Sequence, residues 1–240
     1  MAFLRGLGWL LWLSVAALAG LALLILARGV AGEGSAGPLA LSRPVGPFTA
    51  ARVAGLAGDA ARCRTLLSRA GIAFRALPAR TDGQHCGFAD GVAWAPDGAR
   101  QAAYAPHAPP LACPLAAALA LWEWDVVQPA AARLLGTTVV AVDHYGTYAC
   151  RRIYGRAAGA WSEHARAAAI DVAGFRLADG RRVTVAADWR GQGPEATFLH
   201  RVRNGACRLF ATTLSPDYNA AHRDHLHLDE AARGGGRACR

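Results

Sequence analysis

Ser162-Glu163-His164-Ala165-Arg166-Ala167-Ala168-Ala169-Ile170-Asp171, followed further along by His222-Arg223-Asp224-His225-Leu226-His227-Leu228-Asp229, decides how this chain is read. Asp171 comes seven residues after His164, at the start of a run, Ala169 to Leu177, that reads as a strand. That run and Arg182 to Val185 flank Asp179-Gly180, a strong hairpin signal. In the second stretch, residues two apart on an extended strand share a face, so His225, His227 and Asp229 can point into one site. Two histidines and a carboxylate drawn from separated segments can hold one divalent metal tetrahedrally and leave the fourth position to water. Such a centre is the machinery of metal-assisted hydrolysis. The same ligand types also form the facial triad of non-haem iron oxygenases, but those typically set the first histidine and the acid two residues apart, not seven.

Outward from the site, Pro194 to Cys207 reads as a helix with Phe198, Leu199 and Val202 facing inward. Cys113 to Leu135 reads as a second helix, buried along Leu115, Leu119, Trp122, Val126 and Val127. Pro114 suits its first turn, Pro129 kinks or divides it, and Gly136 closes it. Thr137 to Val142 is β-branched and predicts a strand, and a short extended piece runs through Tyr148 and Cys150. Residues 52–70 read as a helix with Leu56, Cys63, Leu66 and Leu67 on one side, and residues 71–110 as a loop-rich subdomain with short strands near Ile72 to Phe74 and Gly91 to Trp94. The fold class is α+β, an antiparallel sheet with helices packed beside it.

Gly6 to Ala27 is 22 residues without a charge, between Arg5 and Arg28. About 20 apolar residues span a bilayer as a helix. The expectation is an uncleaved single-pass anchor over 6–27, and the alternative is a cleaved secretory signal ending near Ala31-Gly32. Either delivers the rest of the chain outside the cytoplasm, the anchor doing so when its N-terminus stays inside. Residues 28–47, rich in Gly, Ala and Pro, read as a linker, followed by a small disulfide-stapled subdomain over 48–110 and a metal-binding domain over 111–240.

The six cysteines, Cys63, Cys86, Cys113, Cys150, Cys207 and Cys239, form no C-x-x-C pair. In an exported chain they read as disulfides rather than as a thiolate metal site. Nearest-neighbour pairing, Cys63–Cys86, Cys113–Cys150 and Cys207–Cys239, brackets compact segments and is the expected connectivity. All 26 basic residues are arginines, against 17 acids, for a net charge of +9. They are scattered in pairs such as Arg151-Arg152 and Arg181-Arg182, with no basic stripe. Together with export and disulfides, this argues against nucleic acid and for an anionic wall polymer or membrane surface.

Ser162-x-His164-x-x-Ala167-x-Ala169-x-Asp171 resembles the S-x-H-x-x-G-x-A-x-D motif of zinc D-Ala-D-Ala peptidases and peptidoglycan endopeptidases. His225-x-His227 resembles their second motif, and Tyr148-x-Cys150-Arg151 the short Tyr-Arg stretch before the first. The resemblance implies the Hedgehog/D,D-peptidase fold, with one Zn2+ held by His164, Asp171 and His227. It also implies Asp224 as general base and Arg151 steadying the oxyanion or gripping a substrate carboxylate; a strand regular through 224 would instead turn His225 to the site as the helper group. Ser162, beside the first ligand, is expected to contact substrate. Ala167 stands where the family motif has glycine.

Over most of the exported part the chain is similar to bacterial extensin-like C-terminal domain proteins. The similarity is carried by Tyr148-Ala149-Cys150-Arg151, Ile170-Asp171-Val172-Ala173-Gly174-Phe175, Ala206-Cys207-Arg208-Leu209-Phe210 and Pro216-Asp217-Tyr218-Asn219 running into the second site stretch. The resulting expectation is an inner-membrane, single-pass protein whose periplasmic domain is a zinc hydrolase of peptidoglycan peptides, of carboxypeptidase or endopeptidase type. The alternative is a wall-binding or structural module that keeps a metal site without turnover.

Overall fold

The apolar run from Cys113 to Leu135 becomes the central pillar of the domain in the computed structural model, which describes residues 12–23, 39–99, 102–231 and 236–240. Helix α4 (Cys113–Trp122) buries all ten of its residues. A helix apolar all round belongs inside a core, so one buried face was too narrow an expectation. A π turn, Glu123–Val127, joins it to α5 (Gln128–Leu135), whose first turn holds Pro129. The proline has no N–H to donate, and the widened turn before it takes up the missing bond without ending the helix. Gly136 at φ 69° then closes α5. The Trp122 indole N–H donates to the Val202 carbonyl at 2.9 Å, tying this pillar to α7 (Pro194–Leu209).

Against the helices lies a seven-stranded sheet. Its order is β11 (Ala238–Cys239), β9 (Thr212–Leu214), β10 (Leu226–Asp229), β7 (Ala169–Leu177), β6 (Val139–His144) and β5 (Ala103–Ala105), with β8 (Arg182–Thr184) also on β7. The sheet is mixed: β5 runs parallel to β6 and β11 parallel to β9, while the central pairs are antiparallel. The wholly antiparallel expectation is corrected at both edges, where the strands are too short to signal direction. The β7–β8 hairpin forms as the Asp179-Gly180 turn requires, with Gly180 at φ 89°. The stretch through Tyr148 and Cys150 is a loop, and Ala149 N–H donates to His164 O.

The expected 52–70 helix is two, α2 (Thr49–Ala54) and α3 (Ala60–Arg69). Gly58 at φ 82° breaks it, and Asp59 restarts it by accepting from Arg62 N–H. Beyond it, β1 (Phe74–Ala76) pairs with β4 (Val92–Trp94), and β2 (Arg80–Thr81) with β3 (Gly87–Phe88) in a separate hairpin. Part of the expected linker is core: Leu39 and Leu41 are buried, and Val45 N–H donates to the Asp125 carboxylate at 2.6 Å. Leu39–Arg240 is one compact unit, so the 48–110 stretch shares its core with 111–240.

The three disulfides are Cys63–Cys113, Cys86–Cys150 and Cys207–Cys239, with Cα–Cα distances of 6.1, 5.5 and 5.4 Å. The pairings Cys63–Cys86 and Cys113–Cys150 are thereby overturned. Helix α3 packs against α4, which brings Cys63 to the N-terminus of α4, while the β2–β3 hairpin lies beside the 148–152 loop. Nearness along the chain was the wrong guide because both contacts are long-range. At the N-terminus, residues 12–23 are helical (α1), and the rest of the expected 6–27 anchor and residues 28–38 lie outside the described residues. Among the described residues no helix is long and apolar enough to cross a membrane.

Candidate metal centre

Strand pairing assembles the centre. His227 on β10 stands directly opposite Asp171 on β7 and, on its other side, opposite Leu214 on β9. Asp229 is likewise opposite Ala169 and Thr212. Same-face alternation therefore puts Asp171, His227 and Asp229 on one side of the sheet. His164 arrives from a 3-10 turn, Glu163–Arg166, folded back over the start of β7. Ser162 caps that turn, its hydroxyl accepting from His164 N–H at 3.3 Å. Ser162 also lines the cavity beside the cluster, and its hydroxyl keeps a proton to donate. The turn ends at Ala167 in the left-handed region, φ 52° and ψ 24°, the conformation for which the family motif's glycine is suited.

Three donor atoms meet. His164 Nε2 lies 3.2 Å from Asp171 Oδ1 and 3.2 Å from His227 Nδ1, and His227 Nδ1 lies 3.0 Å from Asp171 Oδ1. The outward nitrogens fix the tautomers. His164 Nδ1 is 3.2 Å from the Thr147 carbonyl, and His227 Nε2 is 3.0 Å from Asp229 Oδ2. Both partners only accept, so both outward nitrogens donate, and each neutral ring turns a lone pair inward. The third inward atom is a carboxylate oxygen. Three acceptors around one point, with no donor of their own, call for a cation. The donor set of two imidazoles and one carboxylate, each imidazole braced from behind, fits a zinc ion.

The electrostatics agree. Burial opposes ionisation of Asp171, but His164 and His227 outweigh it and hold the carboxyl far below the usual range. Burial likewise opposes a charge on His227, yet Asp171 and Asp229 raise it to about 9, so a proton fills the place when nothing else does.

Beside the cluster opens a cavity of about 590 Å³ whose wall includes Arg151, Trp161, His222 and His225. Asp224 does not line it. The strand starts only at Leu226, and Asp224 instead accepts from His225 Nδ1–H at 2.9 Å. His225 Nε2 is then left facing the cluster, 3.5 Å from Asp171 Oδ1. The expected direct base, Asp224, is therefore placed behind His225 rather than at the site. Arg151 is exposed on the cavity wall, and its guanidinium has no hydrogen-bond or ion-pair partner among the described residues.

His222 is the residue the sequence reading passed over. It ends a 3-10 turn, Ala220–His222, capped by Asn219, whose Oδ1 accepts from Ala221 N–H and from His222 Nδ1–H at 2.8 Å. Burial, then the His225 and His227 rings, lower its pKa to about 4, so it is a neutral acceptor facing the cavity. The signal was its place three residues before His225 in the same histidine-rich stretch. Thr147 was also missed; it acts through a backbone carbonyl, which no side-chain motif marks.

The family model described as the extensin-like protein C-terminus matches residues 61–240. The chain belongs to that family. The extensin-like span takes in every candidate ligand, His222, His225 and all six cysteines. No curated protein and no solved structure gives a significant match.

Proposed function

We propose that this extensin-like chain is an exported zinc hydrolase of cell-wall peptides, built on the Hedgehog/D,D-peptidase plan and held at the inner membrane by its N-terminal apolar segment. The observation that carries the reading is the meeting of three inward-facing acceptors, on His164, Asp171 and His227, at the edge of an open cavity. A closed four-ligand cluster would favour a structural clamp; here three ligands leave one side open. Zinc bound there would lower the pKa of a water to about 7 and polarise a carbonyl.

The chain's own groups supply the rest. His225 Nε2, beside the cluster, takes the proton from the attacking water as general base, and later hands it to the leaving amine. Asp224 holds the His225 ring in the tautomer that keeps Nε2 free and stabilises the imidazolium that forms. Arg151, without a counter-charge, grips a substrate carboxylate or the developing oxyanion. The disulfides suit an oxidising compartment, which agrees with export.

The test is elemental analysis of the purified protein, paired with digestion of isolated wall fragments. One zinc per chain and release of new amino groups are expected, and His227→Ala should lose both. A zinc-loaded wild type that cleaves no wall peptide would give the site to the non-catalytic, wall-binding module instead.

A further inference from the structure

The β2–β3 hairpin has no part in the chemistry above, yet it is fastened to the site from several sides. Cys86–Cys150 joins it to the residue before Arg151. Tyr148 donates its hydroxyl to Asp82 at 2.7 Å, and the Arg80 guanidinium lies 4.2 Å from the Tyr148 ring centre. His85 stacks on Trp161 at 5.2 Å, and Arg152 lies 4.5 Å from the same indole.

Trp161 is also a shared wall. On one side it lines the histidine cavity; on the other it lines a second cavity of about 400 Å³ under the hairpin. That cavity is lined by Arg80, Gln84, His85 and Arg166 among others, with no carboxylate among its described residues. Arg80 and Arg166 pair with Asp82, which lines a further cavity beyond this one, and with Glu163, which lines the histidine cavity, and each guanidinium has further N–H donors to offer; away from the histidine cavity the lining carries Arg75, Arg80 and Arg166 against Asp82. A third cavity of about 670 Å³ shares Ala79, Arg80, Thr81 and Phe88 with the second and continues past Leu77 and Pro110. The three form a chain of subsites, each in the usual size range of ligand pockets, about 300–1,000 Å³.

We propose that this is an extended substrate groove for an acidic peptide, and that the enzyme cuts within cross-linked wall peptides rather than trimming a terminal residue. The proposal rests on the hydrolase reading for the cut and on the groove alone for the binding. A terminal-residue enzyme needs one pocket at its metal. A preorganised cationic cleft running away from the metal has a use only when substrate extends beyond the scissile bond. The second peptide arm would lie past Trp161, its carboxylates facing Arg80, His85 and Arg166.

Gln84 and His85 are exposed on the hairpin, so Gln84→Glu with His85→Glu puts two negative charges in the cavity without touching the core. Calorimetric titration of the chelator-treated full-length protein, at fixed ionic strength, compares a cross-linked muropeptide dimer with its monomer. The wild type should bind the dimer at least about tenfold more tightly, and the double variant should lose that advantage while binding monomer as before. Equal affinity for dimer and monomer in the wild type would overturn the groove. So would a double variant that weakens both alike. The zinc-loaded enzyme then reports separately: if it cleaves nothing while the dimer preference holds, the hydrolase reading fails and the groove stands as a binding site.

Discussion

At the residue scale, metal chemistry and strand alternation narrow the second stretch only to His225, His227 and Asp229; the choice of His227, with His164 and Asp171, came from the resemblance to zinc D,D-peptidases, and the side chains of those three do converge. The proton acceptor was harder. Asp224 and His225 are neighbours, and only the start of β10 at Leu226 and the 2.9 Å bond between them show which faces the His164–Asp171–His227 cluster and which stands behind. His225→Ala should therefore cut wall-peptide hydrolysis by about 10²–10⁴-fold with zinc content unchanged. Asp224→Asn should cost less, because the amide oxygen can still accept from Nδ1–H. Steady-state rates together with metal analysis check this, and the opposite ranking would return the base to Asp224. Asp229 carries a separate expectation. It is buried, accepts from His227 Nε2–H, and also holds Ala231 N–H. Asp229→Asn should lower zinc affinity by about 10–100-fold, as loss of such a brace typically does, measured by competition with a chromophoric chelator.

At the element scale, helices and the hairpin were readable where period and turn chemistry are local, as with α7 and the Asp179-Gly180 turn. Two features were not local and could not be read. The cystine pairs follow from how α3 meets α4 and how the β2–β3 hairpin meets the 148–152 loop. The edge strands β5 and β11 are three and two residues long, too short for a period. The junction of α7 with the π turn shows the same limit. Gly205 looks like a weakness in a helix, costing about 1 kcal/mol against alanine. In the fold, a Cβ there would overlap the buried Val126 side chain, whose branched carbon is stiff. Gly205→Ala should thus destabilise by about 1–3 kcal/mol despite its better propensity, and Gly205→Ala with Val126→Ala should recover part of the loss relative to Val126→Ala alone. Urea unfolding of the three variants decides it; a stabilising Gly205→Ala would show that the helices are free to part.

At the scale of the whole molecule, the site ties folding stability to pH in two windows of opposite sign. Consider the protein stripped of metal. His227, raised to about 9 by Asp171 and Asp229 against its burial, binds a proton in the folded state more tightly than an unfolded histidine at its ordinary 6.5. Its contribution is complete below about pH 6.5 and is lost as pH rises through about 9. His222, lowered to about 4, behaves in the other direction: the unfolded chain takes up its proton first, so stability falls as pH drops from about 6.5 toward about 4. His144, lowered chiefly by burial, adds to that second limb. From these histidines alone the metal-free protein should be most stable near about pH 6.5 and lose stability on either side, while Glu230, raised well above the usual carboxylate range by burial and by Asp229, loses stability as pH rises and works against the acid limb. Zinc changes one limb alone. With the cation in place His227 has no inward lone pair to protonate, so the decline between about pH 6.5 and 9 should flatten. His222→Gln should leave the alkaline limb and reduce the acid one. Denaturant titrations from pH 5 to 9, with chelator and with zinc, test this directly. Parallel curves with and without zinc over the alkaline range would mean that the cation does not sit between His164, Asp171 and His227.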